Sequence, residues 1–129
     1  MTEQASAPSL DQLRWSLQAL ALPYAAQRDL FPSFACTADE LALDFDHWRE
    51  TAMHQHDFTP DQMAALASLD ALLTEMTAES NPSLWTDDAL ARLPRWDTVR
   101  EFARNALDAF DWRLDTPPSG RSVFVGPEP

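Results

Sequence analysis

Both glycines of this chain, Gly120 and Gly126, lie near its end, so residues 1–119 contain none. A stretch that long without glycine has no residue that enters the left-handed backbone region free of steric cost, and tight two-residue hairpins are disfavoured. β-Branched aliphatic residues are also scarce. There is no isoleucine, and of the valines only Val99 precedes Val123 and Val125. With strands poorly served, the expected fold class is all-α. We expect a single compact helical bundle of four main helices plus one or two short helices, with an irregular Pro- and Gly-containing C-terminal tail.

The apolar pattern supports this. In Thr37–Met53, Leu41, Phe45, Trp48 and Ala52 recur at three- and four-residue steps and share one stripe. Thr37 reads as the N-cap, with Glu40 closing a capping box. Asp39, Glu40, Asp46, His47 and Glu50 read as the opposite, polar face. Before it, a helix starting at Ser9, with Gln12 in a capping box, carries Leu10, Leu13, Leu17, Leu20 and Ala21, and leaves Trp15 and Leu22 off the stripe. A short helix over Tyr24–Phe31 is possible between Pro23 and Pro32, with poor periodicity. The strongest start signal is Phe58-Thr59-Pro60-Asp61-Gln62-Met63: an N-cap at Thr59, proline at the first helical position, Gln62 to close a capping box, and Phe58 able to staple onto Met63. That helix is expected to run to about Thr77. A short helix Asp87–Leu93, capped by Thr86, precedes a last amphipathic helix beginning near Pro94. The expected divisions are a flexible N-terminus 1–8, a helical domain 9–114 and an irregular tail 115–129, in which Val123-Phe124-Val125 has no assigned packing.

The same absences narrow the chemistry. Every basic residue is arginine, so there is neither a Schiff-base lysine nor a Walker phosphate loop, and dinucleotide-binding glycine fingerprints are excluded as well. Cys36, the one cysteine, cannot form an internal disulfide. No leader is evident in MTEQASAPS, and no apolar run approaches the ~18–20 residues that cross a bilayer. A cytoplasmic location is expected.

The net charge is −12, and it is concentrated. Residues 39–88 hold twelve carboxylates against Arg49 alone. Such a field repels nucleic acid and anionic membranes and attracts basic partners, although acidity also serves solubility alone.

Several groups are candidates for function. The acidic face Asp39, Asp46, His47 and Glu50 is the expected partner-binding surface. Trp15 and Trp112, off the core pattern, are candidates for a partner or dimer surface, unless the tail folds over them. Arg92, Arg95, Arg100 and Arg104 can hold an anion or pair within the protein. His47, Glu50 and His54 share one helix side and are weak metal candidates, with no matching second motif. Cys36 precedes a helix N-terminus, where a thiol pKa can fall, but no base is in reach. Asp44 and Asp70 lie at the edges of apolar stripes, where a carboxylate can have a shifted pKa. No catalytic residue and no cofactor is expected. The chain therefore reads as a small acidic, non-catalytic bacterial protein that binds another, basic protein, for instance an inhibitor or immunity-type protein covering a basic site. The alternatives are a metal-dependent enzyme using the His47–Asp57 segment, or a helical small-anion-binding domain.

Overall fold

The computed structural model describes residues 7–118, and no strand occurs among them. The helices are α1 (Ala7–Ala21), α2 (Tyr24–Asp29), α3 (Thr37–Gln55), α4 (Pro60–Ala78), α5 (Asp87–Arg92) and α6 (Pro94–Ala109), with a 3-10 turn over Pro82–Trp85. This is the expected all-α bundle of four long and two short helices.

The hub is α1, not the acidic helix. α1 packs on α3 and on α6, α6 also carries α4, and α3 touches α4 only sparsely. The order α3–α1–α6–α4 thus leaves one side of the bundle loosely closed. Leu13, Leu17, Ala19 and Leu20 are fully buried. Trp15 and Leu22 are buried too, although neither lies on the main stripe. The segment after α6 covers Trp15: its indole N–H donates to the Pro118 carbonyl (2.8 Å), Gln18 donates to the Arg113 carbonyl (3.0 Å), and Pro117 is buried. Trp96 and Phe45 are the largest side chains fully removed from water. Each such burial contributes about 1.5–3 kcal/mol. The Trp96 indole N–H is satisfied by the Leu84 carbonyl at 2.8 Å.

Helix ends follow the sequence in some places and depart from it in others. At α4 the capping box forms in full: Thr59 Oγ1 accepts from the Gln62 N–H (3.1 Å), and Gln62 Oε1 accepts from the Thr59 N–H (3.0 Å). Thr86 caps α5 by accepting from the Ala89 N–H at 3.0 Å. At α3 the N-cap is Cys36, without a side-chain cap bond, and Thr37 lies buried in the first turn with its hydroxyl unpartnered. Nor does Ser9 cap α1, which begins at Ala7; its hydroxyl is hydrogen-bonded to His56 Nε2 at 3.0 Å. Phe58 meets Phe110 edge-on at 5.2 Å, while Met63 is 47% exposed.

The lack of glycine has a visible consequence. Among the described residues two that are not glycine take positive φ, Ser80 (53°) and Asp111 (59°), each just beyond a long helix. Asp111 is the left-handed residue of a Schellman motif, in which the Trp112 N–H reaches the Leu107 carbonyl (2.9 Å) and the Asp111 N–H reaches that of Asp108 (3.0 Å).

A buried polar network joins four helices. Arg100 Nε donates to the Leu22 carbonyl just past α1 (2.9 Å), and Nη2 donates to the Leu90 carbonyl in α5 (2.7 Å) and to Gln27 Oε1 in α2 (2.8 Å). The Gln27 amide donates in turn to the Ala19 and Leu20 carbonyls (3.0 and 3.1 Å). These acceptors include carbonyls at or near helix C-termini, which lack intrahelical partners.

Candidate interaction surface

Asp39, Leu43, Asp46 and Glu50 follow one another along α3 at helical spacing. Asp46, His47 and Glu50 are exposed and Asp39 is partly so. Glu40 is not on this face. It is fully buried one turn from the buried Asp44, and both are engaged by other groups of the chain. They flank the apolar stripe where α3 meets its neighbours, a position that simple two-sided reading of the helix assigned to solvent for Glu40.

Beside the exposed stripe is a groove of about 420 Å³ between α3 and α4. Phe45 and Leu73 are its buried members; Leu43, Thr74 and Thr77 line it from exposed positions, with Asp46 and Asp70 among the lining residues. The sparse α3–α4 packing leaves this space. Arg49 spans the two helices, pairing with Asp46 at 3.1 Å and Asp70 at 3.5 Å. It is the only Lys or Arg on either helix. Glu50, Asp57, Asp61 and Glu75 are exposed on or between these helices, and none forms an ion pair among the described residues.

The histidines are not brought together. The His47 ring stands edge-on to Trp48 at 4.5 Å, His54 Nδ1 is hydrogen-bonded to the Glu50 carbonyl at 2.9 Å, and His56 meets Ser9. Among the described residues no group of three or more His, Cys, Asp or Glu side chains is arranged to hold a metal ion. Cys36 is partly buried, and its thiol donates to the Trp85 carbonyl at 3.4 Å. Burial, more than the neighbouring Asp39, pushes its pKa up, which is opposite to the activation its position before a helix suggested.

The arginine cluster divides. Arg92 pairs with Asp88 (3.0 Å), Arg95 with Glu79, and Arg100 serves the buried network while also pairing with Asp97 at 3.0 Å. Burial lowers the Arg100 pKa and Asp97 opposes that, though a guanidinium remains charged at any physiological pH. Arg104 is exposed and lines, with Arg100, Tyr24 and Asp97, a depression of about 270 Å³. A carboxylate in that lining works against an anion. Of the two tryptophans assigned to a surface, Trp15 is 7% exposed and meets Phe31 edge-on at 6.0 Å. It offers no free face, because the post-α6 segment covers it. Trp112 is half-buried and stacks on Phe110, with ring centres 4.4 Å apart. The Val123–Val125 segment lies outside the described residues.

Arg100's inward role was one of two readings open from sequence. Gln27 was missed altogether, because a polar residue in a short helix of weak periodicity carries no sign of burial. The groove had one sequence signal, Leu43, an apolar residue out of step with the α3 stripe. No helix among the described residues is long and apolar enough to cross a membrane. No protein-family model, curated protein or solved structure matches the chain.

Proposed function

We propose that this is a non-catalytic protein whose acidic α3–α4 surface binds a basic protein, in the manner of an inhibitor or immunity-type protein that covers a positively charged site. The observation that carries the reading is the charge balance of that surface. Arg49 is its only Lys or Arg and is already tied to Asp46 and Asp70, while Glu50, Asp57, Asp61 and Glu75 face solvent without ion pairs among the described residues. Carboxylates held this way retain their field for an incoming cation, and complementary fields raise association rates and select partners. A cytoplasmic setting belongs to the same reading.

The test is capture from a bacterial lysate on immobilised protein at about 50 mM salt, with elution near 500 mM, where surface attraction is screened. A basic protein should be recovered, and Asp39→Asn, Asp46→Asn and Glu50→Gln together should weaken its binding by at least about tenfold, equivalent to roughly 1.4 kcal/mol. Recovery of no basic protein, or binding indifferent to the triple substitution, would defeat the reading.

A further inference from the structure

We infer that the groove between α3 and α4 is the docking site for an amphipathic helix of the basic partner, with an aliphatic or aromatic side chain seated over Phe45 and Leu73 and arginine or lysine side chains meeting Asp46 and Asp70. The inference rests on the proposed function and adds a place and a partner chemistry to it.

Three features combine at this site. The groove has an apolar floor, with Phe45 fully buried and Leu73 6% exposed, and Leu43 at its edge is 41% exposed. Its two acidic lining residues come from opposite walls, Asp46 from α3 and Asp70 from α4, and Arg49 pairs with both, so the three groups together leave the rim net negative. The outer surface of α4 is built from small side chains: Ala64, Ala67, Ala71, Thr74 and Ala78 are all exposed and recur at three- and four-residue steps. Small side chains let a second helix approach closely, and ridges on that helix can enter the space that α3 and α4 leave between them. A helix laid in a groove and anchored by apolar residues one turn apart is a recurrent mode of recognition.

Charge selects the occupant. A second copy of this chain would bring net charge −12 to an acidic rim, which like-charge repulsion opposes. A helix with basic flanks gains both from the rim and from the floor.

The probe is a fluorescein-labelled peptide of about 18 residues, long enough for five helical turns, with leucines three and four apart and arginines elsewhere. A second peptide of the same composition has the leucines scattered. Fluorescence anisotropy with the full chain at about 50 mM salt should show the patterned peptide bound at least tenfold tighter than the scattered one. Thr74→Trp, at an exposed groove position, should remove that preference without changing the far-ultraviolet circular dichroism. Asp46→Asn with Asp70→Asn should weaken both peptides. Equal binding of the two peptides, unaltered by Thr74→Trp, overturns the groove while leaving the acidic-surface reading in place. Binding of neither peptide overturns both. A dimer by light scattering that Thr74→Trp dissolves assigns the groove to self-association and also overturns the inference.

Discussion

Arg100 Nη2 donates across 2.8 Å to Oε1 of Gln27, a residue 73 positions away in sequence, and both side chains are buried. The same guanidinium satisfies the Leu22 and Leu90 carbonyls. Replacing Arg100 by Met keeps an unbranched stem but removes every donor, and each buried acceptor left unpaired costs about 1–3 kcal/mol. Arg100→Met is expected to lower unfolding stability by about 3–5 kcal/mol in urea titration. Asp97→Asn should cost less than about 1 kcal/mol, because the Asp97 side chain is 75% exposed and a solvent-facing partner contributes little. An Arg100→Met protein as stable as the parent would show that the network does not hold these helices together.

The two residues of positive φ give a prediction of opposite sign. A side chain with a β-carbon in the left-handed region costs about 1–2 kcal/mol, less for Asp, part of which glycine returns as a larger entropy loss on folding. Ser80→Gly should therefore raise stability by about 0.5–1 kcal/mol, and Asp111→Gly by less, since Asp tolerates this region better than Ser. Thermal unfolding of the two variants should preserve that order.

Thr59 and Thr37 were read alike from sequence and differ in the structure. Thr59 accepts the Gln62 N–H, so Thr59→Ala should cost about 1 kcal/mol. Thr37 Oγ1 is buried without a partner. Thr37→Val keeps the shape and removes an unsatisfied hydroxyl, so it should be neutral or stabilising by up to about 1 kcal/mol. Urea midpoints for the two variants should move in different directions, or only the first should move.

That contrast shows where sequence reasoning reaches its limit. Proline at Pro60 and Gln62 three residues beyond Thr59 make a start signal from neighbouring residues alone, and α4 begins there. Periodicity likewise placed Leu13, Leu17, Leu41 and Phe45 inward, because one buried face is a property of a single helix. Which helix becomes the hub depends on what covers its other faces. Trp15 is buried by a segment about a hundred residues away, and Glu40 by the way α3 meets its neighbours, so neither could be read from its own surroundings. The acidic residues of the candidate surface were legible as charge. The groove beside them had Leu43 as its single trace, since its volume is the space two helices leave between them.

Cys36 offers a test by pH. Its pKa is raised mainly by burial, so the folded chain favours the neutral thiol more than the unfolded chain does. The stability this contributes is fully present below the ordinary thiol pKa and is lost as pH rises through the higher folded value. Reaction with a disulfide reagent at pH 8 should be slower than that of a free cysteine, because the thiolate is the attacking species. Cys36→Ala should flatten the decline of stability above pH 8.5, the usual thiol value being about that. Fast labelling at pH 7 would show the thiol to be activated instead.

Arg49 gives the last prediction, which concerns binding. It pairs with Asp46 and Asp70 beside the groove while its own side chain is only 18% exposed, so it neutralises part of the rim that a basic partner would meet. Arg49→Met keeps the apolar stem, which packs regardless of charge, and frees both carboxylates. Stability should change by less than about 1 kcal/mol, since the Asp46 side chain is 62% exposed and that of Asp70 35%. Affinity for the patterned arginine peptide at about 50 mM salt should rise at least threefold, with a steeper fall as salt increases, because the surface carries one fewer cation within a Debye length. The alternative is that Arg49 holds the two walls at the spacing a helix needs. Affinity would then drop in Arg49→Met while the peptide's salt dependence stayed the same, and Arg49 would be a positioning residue of the groove and not a brake on its charge.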